Sequence, residues 1–264
     1  MMPAVVAIDI GNTRAKFGIF QPNANGFVDP KVIVARVLSQ TNDLSIDFLR
    51  WWNSLDASAV SRVVVAGSDP DLRDELIRRW PLKQHAPVVV SSFQQIPVQV
   101  DVDFPSRVGI DRLLNALAVA RLKDAGRPAI VVDSGTATTV DLVTSDGTFR
   151  GGSILPGLRL SAHAMHDYTA RLPLLDVDET LTALPSLPGR NTEAAMLAGL
   201  FVGQLGAVRE ISERLAIAAQ KNFNESQAPQ LFITGGGGRQ LADHLPNSLY
   251  VDSLALHGLA FLGL

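Results

Sequence analysis

The sequence predicts an α/β chain built from two related halves, and three observations carry that prediction. Short β-rich apolar runs alternate with helical patterns along all 264 residues. An apolar strand followed by Asp-x-Gly, a threonine and a second strand occurs twice, around Val5–Thr13 and Ile130–Thr138. Hydrophobic residues make up 47% and charged residues 19%, a globular balance with enough chain for one large or two medium cores.

In chain order, Ala4–Ile10 is a short apolar strand, Ile10–Thr13 a tight turn, and Arg14–Phe20 an alternating second strand, so the three read as a β-hairpin. Lys31–Leu38 is a further strand, and Asp43–Leu55 a helix with Trp51 and Trp52 near its end as core or interface residues. Arg62–Ala66 is a buried-type strand closed by Gly67-Ser68-Asp69-Pro70, a helix follows over Asp71–Trp80, and Pro87–Val90 is a strand. Ile96–Arg107 carries Pro97 and Pro105 and reads as a loop. From Gly109, Leu113, Leu114, Leu117, Ala118 and Leu122 fall on one helical face out to Ala125. The pattern then restarts, with a strand at Arg127–Val132, a turn at Asp133–Thr136, and strands at Thr138–Val143 and Gly151–Leu155 about the Asp146-Gly147 turn. Leu158–Leu172 is helical up to Pro173, Asp176–Gly189 is a polar, Pro-rich loop, and Thr192–Ala219 is one long helix. That helix is rich in small residues (Ala194, Ala195, Ala198, Gly199, Gly203, Gly206), which suits close packing inside the subunit or across a dimer. A strand at Gln230–Thr234, the Gly235–Gly238 run, and helices at Arg239–Leu245 and Ser253–Leu262 complete the chain.

Several function classes are disfavoured. A net charge of -3, a pI near 5.9 and no basic run argue against a nucleic-acid binder. There are no cysteines, hence no disulfide, thiolate metal site or cysteine nucleophile, which fits a reducing compartment. The first apolar run meets Asp9 at once, unlike a signal peptide, and no charge-free apolar stretch approaches ~18 residues, so the expectation is a cytoplasmic protein without a membrane span. Neither Gly-x-x-x-x-Gly-Lys-Ser/Thr nor Gly-x-Gly-x-x-Gly after a strand is present, so P-loop and dinucleotide folds are disfavoured.

The repeated Asp-x-Gly tips carry the chemistry. One copy would be ordinary turn chemistry; two, each after a buried-type strand, point to function. Gly11 and Gly135 lack a Cβ, so backbone there can approach a phosphate closely, and the Thr13 and Thr136 hydroxyls can donate to it. Arg14 or Lys16 adds positive charge. Asp9 and Asp133 would repel bare phosphate and make sense only with a cation between them and a nucleotide, as phosphoryl transfer requires. Thr234-Gly235-Gly236-Gly237-Gly238 sits between a strand and a helix and suits an adenosine. Asp111 and Arg112 occupy the first turn of a helix. The bland role is a dipole-favoured acid; the chemical role is deprotonation of a substrate hydroxyl, with Arg112 on an anion. His163 and His166 have no third metal ligand in view and read as surface or packing residues.

Asp9-Ile10-Gly11-Asn12-Thr13-Arg14-Ala15-Lys16, Gly109-Ile110-Asp111-Arg112, Asp133–Asp141, Gly151–Gly157 and Asn191-Thr192 follow one another in the order and spacing of type III pantothenate kinases, and the chain resembles that family over nearly its whole length. The resemblance implies two ribonuclease-H-like domains of the actin/hexokinase-like kind, with mixed sheets flanked by helices and a central nucleotide cleft. The expected domains are 1–113 and 114–264, with the final helix packing back on the first. It also implies ATP- and Mg2+-dependent phosphorylation of pantothenate to 4'-phosphopantothenate, the first step towards coenzyme A, by a homodimer. By carry-over, Asp111 is the proton acceptor, and Asp9 to Lys16 hold ATP with Asp9 near Mg2+. Asp133 binds a monovalent cation, K+ or NH4+; Thr136 touches ATP, with Gly235 and Gly236 taking the adenosine as read above. Gly109, Ile110, Asp111, Arg112, Thr192 and the Val102 position contact pantothenate. Val102 departs from the family, which usually carries an aromatic residue there; Phe104, beside Pro105, is the nearest aromatic. Two rivals remain open at this point: a kinase of the same fold for another small hydroxyl substrate, and a non-catalytic ATP-binding regulator.

Overall fold

β1 (Ala4–Ile10) is buried at every position except half-buried Asp9, so the strand is covered on both faces, and a central position in a sheet follows from that. The computed structural model describes residues 3–22, 28–38, 43–55, 57–177 and 184–263. β1 pairs antiparallel with β2 (Arg14–Pro22), with Asp9 opposite Lys16 and Ile10 opposite Ala15, and parallel with β4 (Val60–Gly67). β3 (Val28–Val37) flanks β2 and β5 (Pro87–Val90) flanks β4, giving the order β3-β2-β1-β4-β5. β6 (Ala129–Ser134), β7 (Ala137–Val143), β8 (Phe149–Pro156), β9 (Gln230–Thr234) and β10 (Ser248–Tyr250) form a second sheet, ordered β10-β9-β6-β7-β8. The senses match too: β6 is antiparallel to β7 and parallel to β9, as β1 is to β2 and β4. Both sheets therefore share one topology, and the repeated Asp-x-Gly signal marks the same corner of each.

The chain divides into two compact units, Met1–Leu122 with Ser253–Leu264, and Lys123–Asp252. In the first, residue alternation separates two faces of the sheet. Val6, Ile8, Ile10, Phe17, Val63 and Val65 point into a core shared with α1 (Leu44–Trp52) and α2 (Pro70–Arg78). Phe17, Phe48, Trp51, Trp52 and Trp80 build that core, with Phe17 and Phe48 edge-on at 5.4 Å and Phe48 stacked on Trp80 at 4.9 Å. Asp43 and Asp69 cap the two helices and are not part of them; Asp69 accepts from the Leu72 amide at 3.0 Å, and Pro70 takes the first helical position. On the opposite face, α7 (Leu254–Gly263) packs against β1 and β4, and α3 (Ile110–Leu122) packs against α7.

In the second unit, Ile130, Val132, Val140, Leu142 and Ile233 face a core with α5 (Thr192–Phe223) and α6 (Gly238–Ala242). α5 is long and apolar enough to cross a membrane by length and composition alone, although no charge-free run in it reaches the length used above; 39% of its most apolar window is buried inside this chain. α4 (Leu158–Asp167) stops short of the expected Leu172. The Thr169 hydroxyl donates to the Met165 carbonyl at 2.7 Å, and His166 Nδ1 meets the Leu172 carbonyl at 2.9 Å, so side chains hold a turn that competes with further helix. β10 was not expected, being only three residues long. The loop read at Asp176–Gly189 lies partly outside the described residues.

Candidate functional site

In the first unit, the β1–β2 tip closes when the Gly11 amide donates to the Arg14 carbonyl at 2.9 Å. Ile8 and Ile10 belong to the α1/α2 core, so alternation puts Asp9 on the other face with Val5 and Ala7, the side where α7 lies. Lys16 is Asp9's cross-strand partner, and Arg14, two residues before it on β2, points the same way, so cationic residues share the Asp9 face. Ile10 and Ala15 are fully buried, which leaves only their backbone for a ligand, whereas Asn12 is exposed and Thr13 half-buried. Gly67, for which the sequence suggested only strand closure, lies against the same corner: a Cβ there would stand 2.7 Å from the Ile10 carbonyl oxygen.

Asp111 is half-buried in the first turn of α3, and its Oδ1 accepts from the Arg112 amide at 2.9 Å. The same oxygen occupies the space beside Gly109: a Cβ at 109 would come within 2.5 Å of it. Gly109 is thus explained by the seat of the neighbouring carboxylate. Asp111 stands on α3, and α3 leans on the α7 side of the sheet, so Asp9 and Asp111 belong to one face of this unit. The preceding segment carries a 3-10 turn at Pro105–Arg107. Val102 is half-buried there, and Phe104 is 61% exposed with the Arg107 guanidinium 4.8 Å over its ring. A cavity of about 190 Å³ between α1 and α2, lined by Leu38, Leu44, Leu76 and Arg79, contains none of these residues.

In the second unit, Asp133 holds the position in β6 that Asp9 holds in β1, with different neighbours. Asp9 lies between Lys16 and Ala66; Asp133 lies between Thr139 and Thr234. The strand partners of Asp133 thus offer hydroxyl oxygens where Asp9 faces Lys16. The β6–β7 tip is shorter: the Gly135 amide donates to the Ala137 carbonyl at 3.0 Å, and Gly135 and Thr136 are exposed. Gly157 packs on this tip, its amide donating to the Thr136 carbonyl at 3.0 Å; a Cβ on it would sit 2.3 Å from the Gly135 carbonyl oxygen. Gly152 has the same relation to β7, where a Cβ would come within 2.5 Å of Oδ1 of buried Asp141. Gly152 faces Asp141 across the β7–β8 hairpin, whereas Gly157 meets a tip more than one strand away in the chain.

The glycine run after β9 splits into distinct roles. Gly235 is buried at φ +91, and a Cβ on it would sit 2.4 Å from the Ser134 carbonyl oxygen and 2.6 Å from Asp133 Oδ1. Gly237 donates to the Ser134 carbonyl at 3.0 Å, whereas Gly236 is exposed. Packing against β6 therefore explains Gly235 and Gly237 without a ligand, and Gly236 presents the open backbone. α6 has five residues, so its dipole is short, and the helix-start argument made from sequence carries little weight. Nearby, the Arg239 guanidinium lies 4.6 Å over the Tyr250 ring. Burial, with Asp252 and Asp133 adding to it and Arg239 opposing it, pushes the Tyr250 phenol above its usual range.

Thr192 is exposed as the first residue of α5, and Asn191 caps the helix, its Oδ1 accepting from the Ala194 amide at 2.7 Å. Added Cβ atoms at Gly199, Gly203 and Gly206 would meet nothing within 4 Å, so packing inside this subunit does not require these glycines among the described residues. His163 and His166 are exposed, and the described residues hold no cluster of three or more His, Cys, Asp or Glu suited to a metal ion.

A family model for type III pantothenate kinase matches residues 5–214. A type III pantothenate kinase of Gluconobacter oxydans is 33% identical over 96% of this chain and 92% of its own length. That of Moorella thermoacetica is 35% identical over 80% of this chain and 81% of its own. Among solved structures, a Baf-family transcriptional activator from Campylobacter jejuni superposes with a TM-score of 0.60 at 20% identity, covering 97% of this chain and 96% of that one, a likeness of fold. Two units of one sheet topology, an Asp at the same corner of each, and sequence identity running through both lead to one conclusion: the chain belongs to the type III pantothenate kinase family.

Proposed function

We propose that the protein transfers the γ-phosphoryl group of ATP to the primary hydroxyl of pantothenate, giving 4'-phosphopantothenate and ADP on the way to coenzyme A. The observation that carries this reading is the seat of Asp111: a half-buried carboxylate in the first turn of a helix, turned over Gly109. In the reaction the substrate oxygen forms the new bond to phosphorus, the bond from phosphorus to the ADP oxygen breaks, and Asp111 takes the hydroxyl proton. Arg112 and Thr192 hold pantothenate, with Gly109, Ile110 and the Val102 segment lining its site. Asp9, Ile10, Gly11, Asn12, Thr13, Arg14, Ala15 and Lys16 hold the phosphates, Ile10 and Ala15 through their backbone.

Asp9 would hold Mg2+ through its single carboxylate, which suits an ion that takes most of its ligands from phosphate and water, and the ion would supply charge neutralisation at the phosphates. Thr136 and the open backbone at Gly236, with Gly235 behind it, serve the nucleotide. Asp133 holds a monovalent cation, a role supported by Thr139 and Thr234 on either side of it. The reading includes a cytoplasmic homodimer that binds no nucleic acid and no membrane; the open face at Gly199, Gly203 and Gly206 leaves room for a closely packed neighbour.

The test is ADP release by purified protein with ATP, Mg2+ and a panel of hydroxyl compounds. Turnover is expected with pantothenate and not with sugars; the reverse pattern would overturn the assignment. Activity is also expected to need K+ or NH4+ and to be low in Na+ alone, which the same assay reads in exchanged salts. Full turnover without K+ or NH4+ removes Asp133 from its role.

A further inference from the structure

α7 closes the chain, and its contacts fall on the elements that carry the first unit's carboxylates. Toward α3, a Cβ at Gly258 would stand 2.2 Å from the Leu114 carbonyl oxygen and 3.0 Å from Leu114 Cα. Toward the sheet, a Cβ at Gly263 would stand 2.4 Å from Val5 Cγ1 and 3.1 Å from Val64 Cγ2. Leu256 Cδ1 lies 3.2 Å from the Cβ position of Gly18 on β2, and the His257 ring meets Phe20 edge-on at 5.1 Å. The helix is thus seated on β1, β2 and β4 while it backs α3.

The two glycine contacts differ in kind. Gly258 meets backbone, so no rotamer change relieves a larger residue; the helices must separate. Gly263 meets a side chain, which can be trimmed. Leu114 lies one turn beyond Asp111 on α3, and Val5 lies on the strand that carries Asp9. Helix and strand are stiff, and a packed interior passes displacement on. The path from β1 through α7 to α3 therefore sets where Asp111 stands relative to Asp9.

We propose that α7 is the positioning element of this site: by its glycine contacts it holds the proton acceptor Asp111 in register with the phosphate-side Asp9, acting through α3 and not on the substrate. This rests on the kinase reading above. An alanine at 258 needs about 1 Å of separation to regain ordinary contact, and a misplacement of that size costs roughly 10²-fold in rate.

The experiment compares native protein with Gly258→Ala, Gly258→Ala/Leu114→Ala, Gly263→Ala, Val5→Ala and Val5→Ala/Gly263→Ala. Val208→Ala, a buried α5 change in the other unit, is the stability control. Readouts are kcat, KM for each substrate, ADP affinity by calorimetry and the thermal midpoint. Gly258→Ala is expected to lose roughly 10²-fold in kcat, with ADP affinity nearly unchanged, and Leu114→Ala should not restore it. Gly263→Ala should lose less, and Val5→Ala should bring it back to the level of Val5→Ala alone. Val208→Ala should lower the thermal midpoint with kcat retained. The positioning role is overturned if folded Gly258→Ala keeps native kcat, if Val5→Ala fails to rescue Gly263→Ala, or if kcat tracks the thermal midpoint across both units. Should Gly258→Ala not fold, the Gly263/Val5 pair decides. A native protein without pantothenate turnover overturns the kinase reading and this role together, whereas native turnover with an unaffected Gly258→Ala overturns this role alone.

Discussion

Asp111→Asn is expected to lower turnover by roughly 10²- to 10⁴-fold, the range that a positioned general base contributes. The substitution keeps size and shape. Asn can still accept from the Arg112 amide, the bond Asp111 Oδ1 makes at 2.9 Å, and it still fits over Gly109. What it loses is the charge proposed to take the hydroxyl proton. The loss should therefore fall on kcat, with ATP affinity retained, since the residues proposed to hold the phosphates lie on β1, β2 and the turn between them. Helix stability should change by no more than about 1 kcal/mol, because Asn also suits a helix start but forgoes the favourable charge–dipole term. Stopped-time ADP release and nucleotide calorimetry on the same preparation read both quantities. Unchanged turnover would remove Asp111 from the chemistry.

The second large effect is expected at Gly235. An alanine there must hold φ near +91 and place its Cβ 2.4 Å from the Ser134 carbonyl oxygen and 2.6 Å from Asp133 Oδ1. Backbone strain and overpacking together cost about 2–4 kcal/mol. The clash involves the Asp133 carboxylate itself, so cation activation should weaken along with stability: half-activation by K+ should move to higher concentration in whatever fraction folds. Gly236→Ala, one residue on and exposed, should leave the thermal midpoint nearly unchanged and act, if at all, on KM for ATP. Equal effects at 235 and 236 would contradict the separation of roles within the glycine run.

Both hairpin tips were legible in the sequence because everything that makes them is local. An apolar run, Asp-x-Gly and a second strand lie within about fifteen residues of one another, and the register follows from the turn. The helices α1, α2 and α5 were legible as well, although Asp43, expected as the first residue of α1, is its cap. Misjudgements arose where side chains compete with the backbone or where an element is too short to show a period. Pro173 looked like the end of α4, but Thr169 and His166 end it at Asp167. The three residues of β10 exist as a strand only because β9 lies beside them.

The glycines divide the same way. Gly109 answers to Asp111, two residues on, and its motif is readable by eye. Gly67, Gly157, Gly258 and Gly263 answer to Ile10, Gly135, Leu114 and Val5, residues far off in the chain.

The order of residues alone determined the repeated strand–turn–strand unit, the two acidic tips, the acid at the head of α3 and the family to which they belong, because each is written in a short window of neighbours. Tertiary structure alone decided that Asp9 shares the α7 side of its sheet, that Thr234 of β9 lies beside Asp133, and that the last helix sits against the strand of Asp9 and the helix of Asp111. These are contacts between segments separated by tens to hundreds of residues, and a linear pattern holds no record of which distant backbone will come within 3 Å.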